Sequence, residues 1–396
     1  MASRFSPRRI LAIGLVAALA GGASRIVFGD CGPFTDVNAF CNAVLEVYYL
    51  GITTGTSATT YDPDGTVSRT QMALFLSRSF DQTIRRASPR AALNQWWTQT
   101  PFYDQGLGLT NLISAPLTCR SDGADVWVST VNAAQGSVER VRASDGVRLQ
   151  QWTLPSGSSA WGVLVAMGRV FVVDRRSPGS LYAIDPKSAP GAVLPVTSSL
   201  GNGAIGIAFD GKKIWTANTG GNVSIVTPGT WAVTTVNVTT GASEPVGALF
   251  DGSNVWVTDL ADNSILKLDA NGAVLKRVPV GFGPQFAVFD GRNIWVPNAL
   301  SDSLTVVRAS DGAVLKTFSE QNGNQNGLSN PLEAAFDGER ILVANEGTDG
   351  VSLFKASDLS AIGNFPTPGG SEPFGVCSDG LNFWVTFFSS SKIGRY

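Results

Sequence analysis

FDGSNVWVTD (250–259) decides the fold, because the chain repeats it. Close copies are FDGKKIWTAN (209–218), FDGRNIWVPN (289–298) and FDGERILVAN (336–345); weaker ones are SDGADVWVST (121–130) and SDGLNFWVTF (378–387). VAMGRVFVVD (165–174) keeps the apolar run but has lost the Asp-Gly. Seven landmarks result: Trp127, Phe171, Trp215, Trp256, Trp295, Leu342 and Trp384, spaced 44, 44, 41, 39, 47 and 42 residues apart. A fixed period of roughly forty residues, with several short strands per unit, is the mark of a β-propeller blade.

Each unit reads as four strands; in the fourth these fall near Val246–Phe250, Asn254–Thr258, Ser264–Asp269 and Val274–Val280. The second strand is apolar at consecutive positions (Val255, Trp256, Val257), as expected when both sheet faces are covered by neighbouring blades. ASDG (143–146), DANG (269–272) and ASDG (309–312) supply the positive φ angles of tight hairpins between third and fourth strands. The last copy has room for only one strand after Trp384, near Ser391–Tyr396, while 104–112 is unassigned. A seventh blade built from both ends would close the ring and remove its open edges. The expected architecture is therefore an all-β seven-bladed propeller over 105–396, with the last blade closed by both ends and a small α-helical module ahead of it.

Residues 1–23 carry Arg4, Arg8 and Arg9, then an apolar core Ile10–Ala20 and small residues, the pattern of an export signal. The apolar run is shorter than the twenty or so residues a bilayer needs, so no transmembrane segment is expected in the mature chain. Residues 81–104 read as a linker, with Arg85, Arg86, Pro89 and Arg90 beside the aromatic pairs Trp96-Trp97 and Phe102-Tyr103.

Within 31–80, Phe40, Val44, Val47 and Tyr48 recur at helical spacing and Gly51 closes that helix. Ser68 and Gln71 form a capping box for a second helix whose apolar face continues through Met72, Phe75, Leu76 and Phe80. Phe34-Thr35-Asp36-Val37, Gly51-Ile52-Thr53-Thr54-Gly55, the Asp62-Pro63-Asp64-Gly65 turn and Val67-Ser68-Arg69-Thr70-Gln71 together resemble one S-layer homology module. The resemblance implies tethering to cell-wall polysaccharide or peptidoglycan, with Arg69 at the position of the polymer-binding basic residue. Gln71 stands where the family often has an acidic residue, and the family's wall-binding unit is usually built from three modules where this chain has one. The Asp62–Gly65 stretch lacks the further carboxylates of a calcium loop and is read as a turn.

Four cysteines in an exported chain suggest disulfides. Cys31 and Cys41 share the small module. Cys119 and Cys377 lie three and two residues ahead of Asp122 and Asp379, on blades that are neighbours only in a closed ring. Their side chains leave opposite sheet faces, which leaves open a bridge or two small buried thiols.

The chain has no histidine, which removes the commonest general base, the Ser-His triad and most zinc or copper sites. The formal charge is −2, and −5 once the three arginines of 1–23 are removed, with no basic stripe for nucleic acid. The repeats resemble the YVTN and NHL-like propeller families and, at the level of fold, the streptogramin B lyases. Those lyases depend on a catalytic histidine, so that activity is not expected, and with no catalytic motif, cofactor or metal site the chain is read as non-enzymatic. The segments entering each first strand cluster at one mouth of the channel and carry Glu244, Gln285, Glu333 and Glu372. These are the candidate ligand-binding residues, for an unknown protein or glycan. Ser319–Asn330 is the longest insertion between blades and a second candidate contact. The expected role is a binding platform at the cell envelope. The alternatives are a carbohydrate-active hydrolase or lyase using carboxylates at the channel mouth, and a structural envelope component.

Overall fold

The computed structural model describes residues 31, 34–37, 41–49, 52–76, 108–238, 243–319 and 326–396. The expected export signal, the linker with its aromatic pairs, Phe40, Gly51, Phe80 and 320–325 lie outside the described residues.

Seven antiparallel sheets, each meandering in chain order, form a seven-bladed propeller. In blade 4 the strands are Pro245–Phe250, Val255–Asp259, Ser264–Leu268 and Val274–Pro279, within one residue of the sequence reading. In blade 7, Pro373–Ser378, Phe383–Phe387 and Lys392–Arg395 are joined by Leu109–Asn111, with Leu109 opposite Gly394. Blade 1 holds a fifth strand: Gly191–Ala192, from blade 2, pairs in parallel with Trp152 and Thr153.

The repeated Asp and Trp prove to be partners. In five blades the carboxylate of Asp122, Asp210, Asp251, Asp290 or Asp379 accepts the indole N–H of the tryptophan five residues on, at 2.7–2.9 Å. Its other oxygen accepts the backbone N–H groups two and three residues ahead, so one side chain shapes the turn and satisfies a buried indole. Blade 6 has Leu342 in place of the tryptophan, and there Asp337 takes Arg340 instead, at 2.8 Å. The tryptophans lie between blades: Trp215 packs with Val255, Val257, Leu266 and Leu268 of the next sheet. Burying about 200 Å² of aromatic surface in each such wedge contributes several kcal/mol, which is why the ring needs no single central core.

First strands meet closely around the axis. A Cβ on Gly206 would collide with the Val246 carbonyl, and one on Gly375 with that of Leu117, so the inner strands abut backbone to backbone. Cys119 and Cys377 are bonded, with Cα atoms 5.6 Å apart, joining blade 1 to blade 7. Opposite sheet faces are the facing sides of adjacent blades, so of the two arrangements open in the sequence the bridge is the one formed.

In the small module, Cys41–Tyr49 is helical, as are 69–76. Cys31 is bonded to Cys41, and Phe34 sits edge-on to Tyr48 at 4.9 Å and near Tyr61 at 5.4 Å. The capping box forms in both directions, Ser68 N–H to Gln71 Oε1 at 2.8 Å and Gln71 N–H to Ser68 Oγ at 3.2 Å. The apolar face expected of the second helix is not covered by the described residues: Met72 and Leu76 are 47% and 54% exposed.

Candidate ligand site at one mouth of the propeller

First strands all run from one end of the ring to the other, and second strands return. The connections into first strands and the turns after second strands therefore share one mouth. The sequence reading placed Glu244, Gln285, Glu333 and Glu372 there.

Glu244 is half-buried; its backbone is fixed by N–H donation to Asp259 at 2.9 Å and by accepting Leu260 N–H at 2.9 Å. Among the described residues its carboxylate meets no hydrogen-bond donor. Gln285 is half-buried and donates its N–H to Pro297 O at 2.9 Å. Glu372, held at φ 48°, donates its N–H to Asp349 at 2.9 Å, and its carboxylate accepts the Ser389 hydroxyl.

Glu333 differs from the others. It is 1% exposed and sealed in the wall of the channel, where Oε1 accepts Arg120 Nη1 at 2.7 Å and Oε2 accepts Val376 N–H at 3.2 Å. Burial pushes its carboxyl above the usual range, against the pull of the Arg120 charge. The side chain thus runs from blade 6 past blade 7 to blade 1 and fastens the channel wall, rather than converging with the rim carboxylates.

Sequence reasoning missed what lies between them. Trp161 of blade 2 meets Phe374 of blade 7 edge-on at 6.0 Å. Phe374 in turn lies 6.5 Å from Phe286 of blade 5 and 6.5 Å from Phe388. Three of these rings are half-buried and Phe286 is buried, so residues from three separate blades pave the mouth with one aromatic surface. The Arg175 guanidinium lies 4.9 Å over Trp161 and has no acidic partner among the described residues. Below, a cavity lined by Thr118, Arg120, Gly162, Ile205, Ala248 and Phe286 has a volume of about 10 Å³, the room of about one water. A cavity of that size has no room for an organic ligand.

A second missed residue is Glu346, directly after the blade-6 repeat, where its carboxylate accepts the Asn330 amide. Burial raises its pKa, and the nearby charge of Glu372 raises it further. Glu346 and Glu372 thus border the aromatic surface on its blade 6 and 7 side, with Glu244 on blade 4 and a cation on blade 2. Of the insertion Ser319–Asn330, Asn326 and Leu328 are buried and Ser352 donates to the Asn326 carbonyl.

Arg69 of the small module is exposed at the start of helical 69–76. Asp36 accepts the N–H groups of Tyr61 and Asp62, which holds its carboxyl below the usual range and pins the Asp62–Gly65 turn beside it.

Residues 33–73 match the S-layer homology domain model, which associates the chain with the cell surface or envelope. Among the described residues no helix is long and apolar enough to cross a membrane. No curated protein matches the sequence. Among solved structures, the selenomethionine form of virginiamycin B lyase from Staphylococcus aureus is similar over 72% of this chain and 97% of its own, at 18% identity and a TM-score of 0.61. A catalytically inactive histidine-to-alanine variant of the same enzyme, with quinupristin, is similar over 72% and 98%, at 18% identity and 0.59. A streptogramin B lyase structure is similar over 72% and 95%, at 18% identity and 0.58. The expectation of a non-enzymatic chain is corrected by these neighbours, all of them enzymes, although at this identity the likeness establishes the fold alone. The histidine whose loss inactivates the Staphylococcus enzyme has no counterpart in a chain without histidine. This chain is a seven-bladed propeller similar in fold to those lyases, preceded by a segment that matches the S-layer homology domain.

Proposed function

We propose that this is an exported envelope protein whose residues 31–80 bind a cell-wall polymer through Arg69, and whose 81–104 tether leads to a ring, 105–396, closed by both ends. The ring presents the aromatic mouth to a glycan. The observation that carries this reading is the Trp161–Phe374–Phe388 surface with Phe286 beneath it. Flat, half-buried rings stack the apolar face of a sugar, while Glu244, Glu346 and Glu372 accept hydrogen bonds from its hydroxyls at the edge. Stacking on one ring contributes about 1 kcal/mol beyond area burial, so Trp161→Ala and Phe388→Ala should each weaken binding of solubilised cell-wall oligosaccharides about tenfold in calorimetry. Unchanged affinity in folded variants would remove the aromatic mouth from the reading.

A second reading, turnover at the same mouth, is favoured by the Glu346–Glu372 pair. The Glu346 carboxyl, raised by burial and by the nearby Glu372, has the environment of a general acid beside a second carboxyl. Glu346→Gln should then abolish release of product from wall oligosaccharides that the variant still binds; equal turnover in the variant rejects it.

A further inference from the structure

Blade 2 breaks the repeat in three places, and all three lie at the end of the ring away from the aromatic mouth. The other six blades turn from first to second strand through Asp-Gly, whereas blade 2 turns through Met167-Gly168, both at positive φ (50° and 66°). Ala166 pairs directly with Arg169, so this is a two-residue hairpin. Such a turn favours Asn or Gly, and methionine is strained there. The tryptophan is replaced by Phe171, which has no N–H for an aspartate to accept. Between third and fourth strands the other complete blades use four or five residues, while blade 2 spends nine, 185–193. That excursion is braced on blade 1, by the pairing of Gly191–Ala192 with Trp152–Thr153 and by Arg140 Nη1 donating to Pro186 O at 3.1 Å.

Two of these departures, the Met167 turn and the long excursion, face one neighbour. Met167 packs on the core of the small module, formed by Cys31, Phe34, Val37, Val44 and Leu45. Lys187, carried by the braced excursion, places its ammonium 4.2 Å over the Tyr48 ring of the same module. An aspartate at 167 would bring a desolvated charge against that apolar cluster, and a tight hairpin would leave no residue to reach Tyr48.

We infer that blade 2 is built as the docking surface for this chain's own residues 31–61, at the end opposite the mouth. Trp161 is the second residue of the strand that Ala166 ends, and at about 3.3 Å per residue the two lie roughly 16 Å apart. The docking does not depend on what the mouth binds. Joined to the wall-tether reading above, it turns the mouth away from the wall.

The test is photo-crosslinking in the full chain. A benzophenone-bearing phenylalanine replaces Met167 and, as a control, the exposed Ser253 in the corresponding turn of blade 4. The residue at 167 should give an intramolecular adduct to a peptide within 31–61, with the yield at 253 at least tenfold lower. Equal yields, adducts only between chains, or none from 167 would overturn the inference. A second variant, Met167→Asp with Lys187→Glu, sets a carboxylate against the module's apolar core and reverses the charge over Tyr48. Amide exchange over 41–49 should then accelerate about tenfold with blade 2 strands unchanged, and unaltered exchange would also overturn it. Neither readout uses wall binding, so failure of that reading leaves this result standing.

Discussion

The Arg120–Glu333 pair can be taken apart one charge at a time. Glu333 is fully buried and its partner's side chain is 36% exposed, at an N–O distance of 2.7 Å. At an effective dielectric constant near 20 the attraction is about 4 kcal/mol. Removing a carboxylate from water costs several kcal/mol, so the pair comes out near balance. Arg120→Met leaves the cost without the attraction and should destabilise by about 3 kcal/mol at pH 7, lowering Tm by about 6 °C or more for a ring of this size. Glu333→Gln keeps an acceptor for Val376 N–H and should stay within about 1 kcal/mol of the parent. The double variant should recover most of the loss, a coupling of about 2 kcal/mol. The pH sign follows from the raised carboxyl. Its folded state binds the proton more tightly than the unfolded one, so its contribution is fully present below the ordinary carboxyl value of about 4.5 and is lost as pH rises through the folded value. Scanning calorimetry from pH 4.5 to 7 should therefore show Glu333→Gln gaining on the parent as pH rises. If Arg120→Met is neutral at pH 7, or the gap between Glu333→Gln and the parent is flat with pH, the buried charge is not what the arginine compensates.

Two further predictions concern the ring. Cys119 and Cys377 are 258 residues apart in sequence, and at that separation the chain-entropy model gives about 5 kcal/mol. Cys119→Ser with Cys377→Ser should lower the propeller's Tm by about 10 °C; a shift under 2 °C would mean the ring is held by strand pairing and packing alone. Asp251→Ala removes the acceptor for the Trp256 indole and for two turn N–H groups. It should cost about 2 kcal/mol in urea unfolding and alter Trp256 fluorescence, and a neutral result would reduce the repeated aspartate to a turn former.

The propeller was legible because its repeat is a local rule: Asp, Gly and Trp at fixed offsets specify a turn, an indole acceptor and a wedge between sheets. Blade 4 strands fell within one residue because each boundary is set by such a turn. The aromatic mouth was not legible. Trp161 and Phe374 are 213 residues apart, and only ring geometry brings them to 6.0 Å. Glu333 carried a signal that went unread. Glu244 and Glu372 stand one residue before a strand-opening proline, whereas Glu333 stands two after Pro331, about 10 Å deeper along the strand. Glu346 was passed over because it follows the repeat's asparagine, in a turn whose residue types vary freely from blade to blade. Arg69 was placed by resemblance, and its exposure is compatible with any surface role.

The residue four before the repeat's aspartate position shows why departures from the repeat repay study more than the repeat itself. It is Gly162, Gly206, Gly247 and Gly375 in four blades, where a Cβ would strike the next blade's backbone or side chains. Blades 1, 5 and 6 have Thr118, Phe286 and Glu333 instead. Side chains at this position reach the neighbouring blades. Thr118 turns its hydroxyl to the Trp161 carbonyl at 3.0 Å, joining blade 1 to the strand that carries the mouth's tryptophan. Phe286 supports Phe374 from below. Glu333 crosses to Arg120, a path open only because blade 7 has glycine: a Cβ on Gly375 would sit 3.0 Å from its Oε2. Glycine in blade 7, glutamate in blade 6 and arginine in blade 1 therefore act as a set. The support beneath the aromatic mouth and the buried ion pair both come from blades that lack the glycine the other four carry.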